Sequence, residues 1–404
     1  MPTVRRHDVA GVWQFPASCI AGERPAEDRR AADATLFQEV HRGDPPVPLE
    51  TVFLTGATGF IGSHLAAELL GRGCEVRCLI RPGSVGAIPA GAVSVPGRLE
   101  DPASYRPALV GCDTVFHAAG LVAASSRARL LGTNGLATAR LADACAALPA
   151  PPRLVHVSSL AAVGPPPRDR DFRDECDPAA PVSDYGRSKR AGEEALQRRA
   201  SRLPITIVRP GIVYGRRDPK IATVFRAIER TGVHFVVGFR TPALSLIHVD
   251  DLVGLLLRAA TDGETLAEVA AEPGRGCYLA CDDREHPTYW ELGRRIAAAL
   301  DRRVFVWPLW HWVGRTVGGV SEAVSRVTGE PSLLSLDKIR EATAWSWACS
   351  AAKARRQLAF AAAQPLDERL RETAVWFREQ GWLGAAPRER PAALARLSGT
   401  AATG

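Results

Sequence analysis

Lysine is scarce in this chain: of 51 basic residues only Lys189, Lys220, Lys338 and Lys353 are lysines. Long apolar runs are missing too. No stretch of about 18 uncharged apolar residues occurs, so no membrane-spanning helix is expected. The opening MPTVRRHDVAGVWQFPASC lacks the unbroken apolar core of a secretory signal, and a cytoplasmic location is the expectation. Nine cysteines are scattered without the density of a disulfide scaffold. Cys74/Cys78 and Cys277/Cys281 are spaced by four, but no histidine pair accompanies them, so they read as reduced thiols and no metal is expected. Basic blocks are lacking as well. The net charge of +7 is dispersed and not interleaved with aromatics, which excludes a nucleic-acid partner and leaves a small molecule. What remains, 46% hydrophobic and 24% charged residues, is ordinary for a globular protein.

The organisation emerges after a weak start. Residues 1–49 show no apolar periodicity and close on GDPPVPLE, a proline-rich linker, so they read as a poorly ordered extension. From Thr51 the pattern is TVFLTG, a short buried strand; GATGFIGSHLAAELLGRG, a loop and helix; and EVRCLI, a second strand. Strands follow at Val93–Val95, Thr114–His117, Leu154–Ser158 and Ile205–Arg209, and helices at Thr133–Ala147, Asp184–Ala200 and Asp251–Ala260. Strands alternating with helices and without hairpin signals predict an α/β fold, a Rossmann-type doubly wound parallel sheet. Residues 50–260 would form this domain. Residues 211–245 and 261–385 would form a smaller C-terminal substrate-binding portion, and 386–404 a disordered tail.

TGATGFIGSHL follows a strand and opens a helix, the context that gives a glycine triplet meaning. Gly56 permits a tight turn, Gly59 lets backbone approach a pyrophosphate, and Gly62 allows the helix to pack closely on the sheet. Phosphates would sit at the helix N-terminus, where free N–H groups and the dipole favour negative charge. Thr58, Phe60 and Ile61, in the loop and first helical turn, join the glycines as cofactor-binding candidates. The second strand ends in Arg81, nineteen positions after Gly62, and not in the acid that accepts from the ribose of NAD. NADP is therefore the preferred cofactor, with NAD the alternative.

SDYGRSKRAGEEAL places Tyr185 and Lys189 four residues apart, on one face of a helix. In a chain that uses arginine for nearly all its positive charge, a lysine here suggests that a guanidinium will not serve. A compact ammonium can donate to two ribose hydroxyls and act as a near point charge beside the phenol. A free tyrosine has a pKa of about 10. The ammonium and a positive nicotinamide would lower it toward proton-relay range. Upstream, LVHVSSLAAVG offers Ser158 and Ser159, either of which is chemically able to hold the reacting oxygen.

Taken in order, TGATGFIGSHL, VFHAAG, VSSLAAVG, YGRSK, RPGIVYG and IHVDDLV resemble the motifs of extended short-chain dehydrogenases/reductases, the NAD(P)-dependent epimerase/dehydratase superfamily. The resemblance covers roughly residues 51–260, and ARRQLAF with LDERLRETAVWFREQGWL resembles the family's C-terminus. It implies that Tyr185 is the acid/base and that Lys189 binds ribose and tunes the phenol. It also selects Ser159, five residues before Gly164, as the catalytic hydroxyl. His117, Ala118 and Ala119 would line the pyrophosphate and ribose. Asn134 would support the catalytic loop, with Ala137 where the family has glycine. Arg209 and Pro210 would close over the nicotinamide side, and Asp250 and Asp251 would be structural or close to substrate. Homodimers through the helix of Tyr185 are frequent in this family.

The chain departs from the family pattern at two places. The Gly-Asp-Leu after the third strand is here Gly97-Arg98-Leu99. The resemblance implies that Leu99 keeps the family's adenine contact while the contact through the acid is lost; Arg98 would instead reinforce binding of a 2′-phosphate. The arginine that grips the phosphates of sugar nucleotides is replaced by Leu244. The motif pattern is closest to dihydroflavonol reductases and 3β-hydroxysteroid dehydrogenases. The expected function is hydride transfer between nicotinamide and a secondary alcohol or ketone of an apolar, steroid- or flavonol-like molecule. Two alternatives stand beside it, a nucleotide-sugar epimerase/dehydratase and a non-catalytic NADP-binding sensor. Val304–Val320, with three of the nine tryptophans, reads as a pocket wall or interdomain core, with weak contact to a membrane surface as the alternative.

Overall fold

Val52, Phe53 and Leu54 are completely buried in succession, as a strand covered on both faces requires. Val52 and Leu54 pack with Val76, Cys78, Phe116, Val155 and Val208 on one face. Phe53 packs with Leu79, Val115, Leu154 and Ile205 on the other. The computed structural model describes residues 49–84, 88–267, 272–310, 312, 316, 319 and 336–384. Nearly all of the expected extension, and the tail, lie outside these.

The strands are β1 (Thr51–Thr55), β2 (Glu75–Ile80), β3 (Val93–Pro96), β4 (Thr114–His117), β5 (Arg153–Val157), β6 (Ile205–Pro210), β7 (Ile212–Tyr214), β8 (Val233–Val237), β9 (Leu246–His248), β10 (Cys277–Ala280) and β11 (Phe305–Leu309). Seven make the central sheet, in the order β10-β6-β5-β4-β1-β2-β3. Every pairing is parallel. The chain winds outward from β1 in both directions, so a crevice opens between the C-terminal ends of β1 and β4, the switch point where such sheets bind ligands. The doubly wound expectation holds.

The principal helices are α1 (Phe60–Gly71), α2 (Thr138–Ala146), α3 (Asp184–Gln197), α4 (Pro219–Thr231), α5 (Val249–Thr261), α6 (Tyr289–Ala299), α7 (Leu336–Ala342), α8 (Ala352–Leu358) and α9 (Leu366–Glu379). The expected helix Thr133–Ala147 proves composite, a π-helical segment over Gly132–Ala137 running into α2. Beyond β6 a third core gathers Tyr214, Phe225, Ile228, Leu244, Ile296, Leu370 and Phe377, giving a smaller C-terminal portion. The two portions interleave, because β10 returns from this stretch to the edge of the main sheet.

Candidate active site

The glycine loop begins where β1 stops. Gly56 turns the chain with φ of 80°, and a side chain there would strike the backbone of Ala118 and Ala119. Gly59 is the N-cap of α1, and Gly59 N donates to Gly56 O at 2.9 Å. A Cβ on Gly62 would overlap the Gly56 carbonyl. The third glycine therefore packs helix against turn. Together these positions leave a side-chain-free cradle at a helix N-terminus beside Ala118 and Ala119, which fits a dinucleotide pyrophosphate. Thr58 is exposed at the loop, while Phe60 and Ile61 are half-buried in the first turn of α1. Arg81 is exposed just past the end of β2, the strand beside β1. Leu99 is buried, and Arg98 is exposed.

Ser183 caps α3, its hydroxyl accepting from Gly186 N at 2.9 Å. Tyr185 and Lys189 follow one turn apart on the same helix. The Lys189 ammonium donates to the Val157 carbonyl, the last residue of β5, at 2.8 Å. An ammonium has three donors, so two remain. The ammonium lies beside the segment after β4, where a side chain on Gly120 would come within 3.7 Å of Nζ. Burial brings the Lys189 ammonium down to about 8, with Glu193 opposing.

Ser159 caps the short turn after β5, accepting from Ala161 N at 3.2 Å. Its hydroxyl also reaches the Tyr185 phenol. Ser158 points the other way and donates to buried Glu193 at 2.6 Å. Geometry thus separates the two serines and leaves Ser159 facing the phenol. The expected lowering of the phenol pKa is one that the ammonium and a positive nicotinamide would produce together; in the protein alone the phenol moves the other way. Burial pushes Tyr185 up to about 12, Ser159 draws it back, and Glu341 adds to the rise. The physical reason is that desolvation of the phenolate outweighs the hydrogen bond from Ser159.

Asn134 joins the two halves of the site. Its side chain accepts from Leu121 N, donates to Leu121 O (both 2.8 Å), and donates to Ser188 Oγ at 2.9 Å. The segment after β4 is thereby tied to the helix of Tyr185. His117, expected beside the cofactor, turns its ring inward between Thr55 and Thr138, at 2.7 and 2.9 Å. Burial drives its pKa down to about 3, so it stays neutral. Arg209 is likewise turned from the nicotinamide side into a paired contact with Glu193, at 2.9 and 3.0 Å. Pro210 is buried at the end of β6. Asp250 pairs with Arg216 and Asp251 with Arg369, at 3.0 Å in each case. Leu244 packs in the third core.

Sequence reasoning missed α7. Asp337 accepts from the backbone N–H groups of Asp184 at 2.6 Å and Tyr185 at 3.1 Å, and Glu341 accepts from Ser183 Oγ at 2.6 Å. Lys338, paired with Glu341 at 2.6 Å, places its ammonium 4.8 Å from the centre of the Tyr185 ring. Lysine scarcity, the signal that singled out Lys189, also applies to Lys338.

The Lys189 shift predicts a pH dependence. With its pKa brought down to about 8, the charge is present below that pH and lost above it. Affinity for the reduced nicotinamide cofactor, measured by fluorescence titration, should hold near neutral pH and weaken above about 8. Lys189→Met should bind weakly at every pH. Constant wild-type affinity through alkaline pH would contradict the role.

Comparison with known proteins agrees with this geometry. Residues 52–269 match the profile of the NAD dependent epimerase/dehydratase family. The chain is 29% identical over 339 residues to a ceramide reductase of Caulobacter vibrioides, covering 82% of this chain and 96% of that protein. It is 27% identical to a UDP-glucose 4-epimerase of Vibrio cholerae, covering 71% of this chain and 88% of that one. Among solved structures, gox2253 superposes with a TM-score of 0.65 at 25% identity, covering 83% of this chain and all of that one. Such relatives include reductases, dehydrogenases and epimerases.

Proposed function

Because the chain belongs to the NAD dependent epimerase/dehydratase family and is an NAD(P)-dependent enzyme of the extended short-chain type, we propose that it is an NADPH-dependent reductase. Its substrate in this reading is a ketone on an apolar molecule. The observation that carries the reading is the convergence of Ser159, Tyr185 and Lys189 where the start of α3 packs against the end of β5. Leu244 supports an apolar substrate, since it occupies the position of the phosphate-gripping arginine without offering a charge. The full-length likeness to a ceramide reductase supports it too.

When bound, the nicotinamide supplies or takes the hydride. The rest falls to the chain's own residues. Ser159 Oγ, fixed at the end of β5, holds the carbonyl oxygen. Tyr185, firmly protonated in the free protein, gives that oxygen its proton in reduction and takes it back in oxidation. Lys189 uses its two remaining donors on ribose hydroxyls, and its charge favours the phenolate as the proton leaves. The Lys338 ammonium over the ring face acts in the same sense. Asn134 holds the intervening segment in register.

Preference for NADPH rests on Arg81, exposed beside the glycine loop where a 2′-phosphate would lie. Arg81→Asp should raise the KM for NADPH at least about tenfold relative to that for NADH, the scale of one charge-assisted contact. An unchanged ratio would defeat this assignment. A nucleotide-sugar epimerase would use the same residues but consume no added NADPH.

A further inference from the structure

Strands β8 and β11 form a two-stranded parallel ribbon outside the main sheet, with Phe235 opposite Trp307 and Val233 opposite Phe305. One face of the ribbon is ordinary: His234, Val236 and Val306 are buried. The other is not. It presents Val233, Phe235, Val237, Phe305, Trp307 and Leu309, because side chains alternate along a strand and the register aligns the odd positions. Phe239, Trp310 and Trp312 follow directly. The six aromatics Phe235, Phe239, Phe305, Trp307, Trp310 and Trp312 are each 53–67% exposed. They contact one another, Phe305 against Trp307 at 5.7 Å and Phe239 against Trp310 at 5.1 Å. The tryptophans of the described part of Val304–Val320 are therefore not in an interdomain core, for a local reason: the strand is apolar at odd and even positions alike, and only one set has a core to enter.

A continuous exposed aromatic surface marks an interaction site. Its rim indicates with what. Arg230 lies in the last turn of α4, Arg240 follows β8, and Arg302 and Arg303 precede β11; all four are exposed, and among the described residues adjoining them in sequence the exposed acid is Asp301. Two copies meeting through this face in a two-fold contact would set the same arginines against each other. An anionic lipid surface would instead attract them, while tryptophan and phenylalanine enter the headgroup region where such rings are at home. The net charge of +7 acts in the same sense.

We propose that the β8–β11 aromatic face docks the protein on an anionic membrane surface without spanning it. Among the described residues no helix is long and apolar enough to cross a bilayer. The inference is independent of the reductase reading, since it concerns a face that contains none of the site residues.

The test is flotation of the full chain with vesicles of phosphatidylcholine alone and of phosphatidylcholine with about one third phosphatidylglycerol. Wild-type protein should float with the anionic vesicles and detach as salt screens the arginines. A Trp307→Ser/Trp310→Ser variant should lose binding by at least about tenfold, and Arg302→Gln/Arg303→Gln should lose the preference for anionic lipid. NADPH affinity, unchanged in both variants, verifies that they fold. Absence of wild-type flotation would overturn the proposal, as would flotation undiminished in the tryptophan variant. So would a wild-type dimer that ignores vesicles and becomes monomeric in that variant, because a second copy would then cover the face.

Discussion

Tyr185→Phe should lower turnover by at least about a hundredfold, and up to about ten-thousandfold, while leaving NADPH affinity within a fewfold of wild type. The substitution removes one oxygen and keeps the ring that Lys338 caps. The backbone N–H of residue 185 still donates to Asp337, so the start of α3 stays anchored. The Lys189 ammonium is held by the Val157 carbonyl and not by the phenol, so its orientation survives as well. Binding and chemistry are therefore separable at this residue. Steady-state kinetics together with a fluorescence titration of NADPH would show it. Near-normal turnover would remove Tyr185 from the chemistry, and loss of both properties would make it a structural residue.

The second large effect is on stability and falls one turn beyond Lys189. Glu193 is buried against Arg209 and Ser158. Burial alone would raise its carboxyl. Arg209, through both charge and hydrogen bonds, outweighs burial and holds it below the usual range. Glu193→Ala strands the guanidinium in the interior and should cost about 3–5 kcal/mol. Tm should fall by on the order of 10 °C. Replacing both partners with apolar residues, Glu193→Leu with Arg209→Met, should recover most of that loss, because no buried charge is left alone. The pH dependence has a definite sign. A carboxyl held low contributes stability above its unfolded pKa of about 4.3, and that contribution disappears as pH falls through the lower folded value. Thermal melts of the three proteins across acid pH would reveal it. Equal melting temperatures for Glu193→Ala and wild type would contradict the account.

Much of this architecture was legible in the sequence because parallel strands buried on both faces leave continuous apolar runs. Thr114–His117 matches β4 as observed, and Ile205–Arg209 falls one residue short of β6. The glycine loop was legible because backbone turns and close approaches restrict residue type. Tyr185 and Lys189 stood out because both residues are rare here and helical spacing brings them to one face. The rest lacked such local signals. β10 is four residues long and receives its place only by pairing with β6. Whether His117 or Arg209 faces a cofactor depends on which way a strand residue points, and that is decided by partners 16 to 62 positions away. Asp337 lies 153 residues from the N–H of Asp184 that it accepts from, so no window of sequence contains both. The rise of the Tyr185 pKa in the free protein was not legible for a related reason. Spacing revealed the lysine, but not how far the fold desolvates the phenol.

The most direct test of the central claim is transfer of deuterium to a ketone from NADPH carrying deuterium at both positions of nicotinamide C4. The purified full chain would be presented with 3-oxoacyl substrates of increasing chain length, and products analysed by mass spectrometry. The account predicts an alcohol carrying one deuterium on the former carbonyl carbon, formed in step with NADPH loss and absent with Tyr185→Phe. Alcohol formed without label, or NADPH left unconsumed across those substrates while a nucleotide sugar is epimerised, would contradict it.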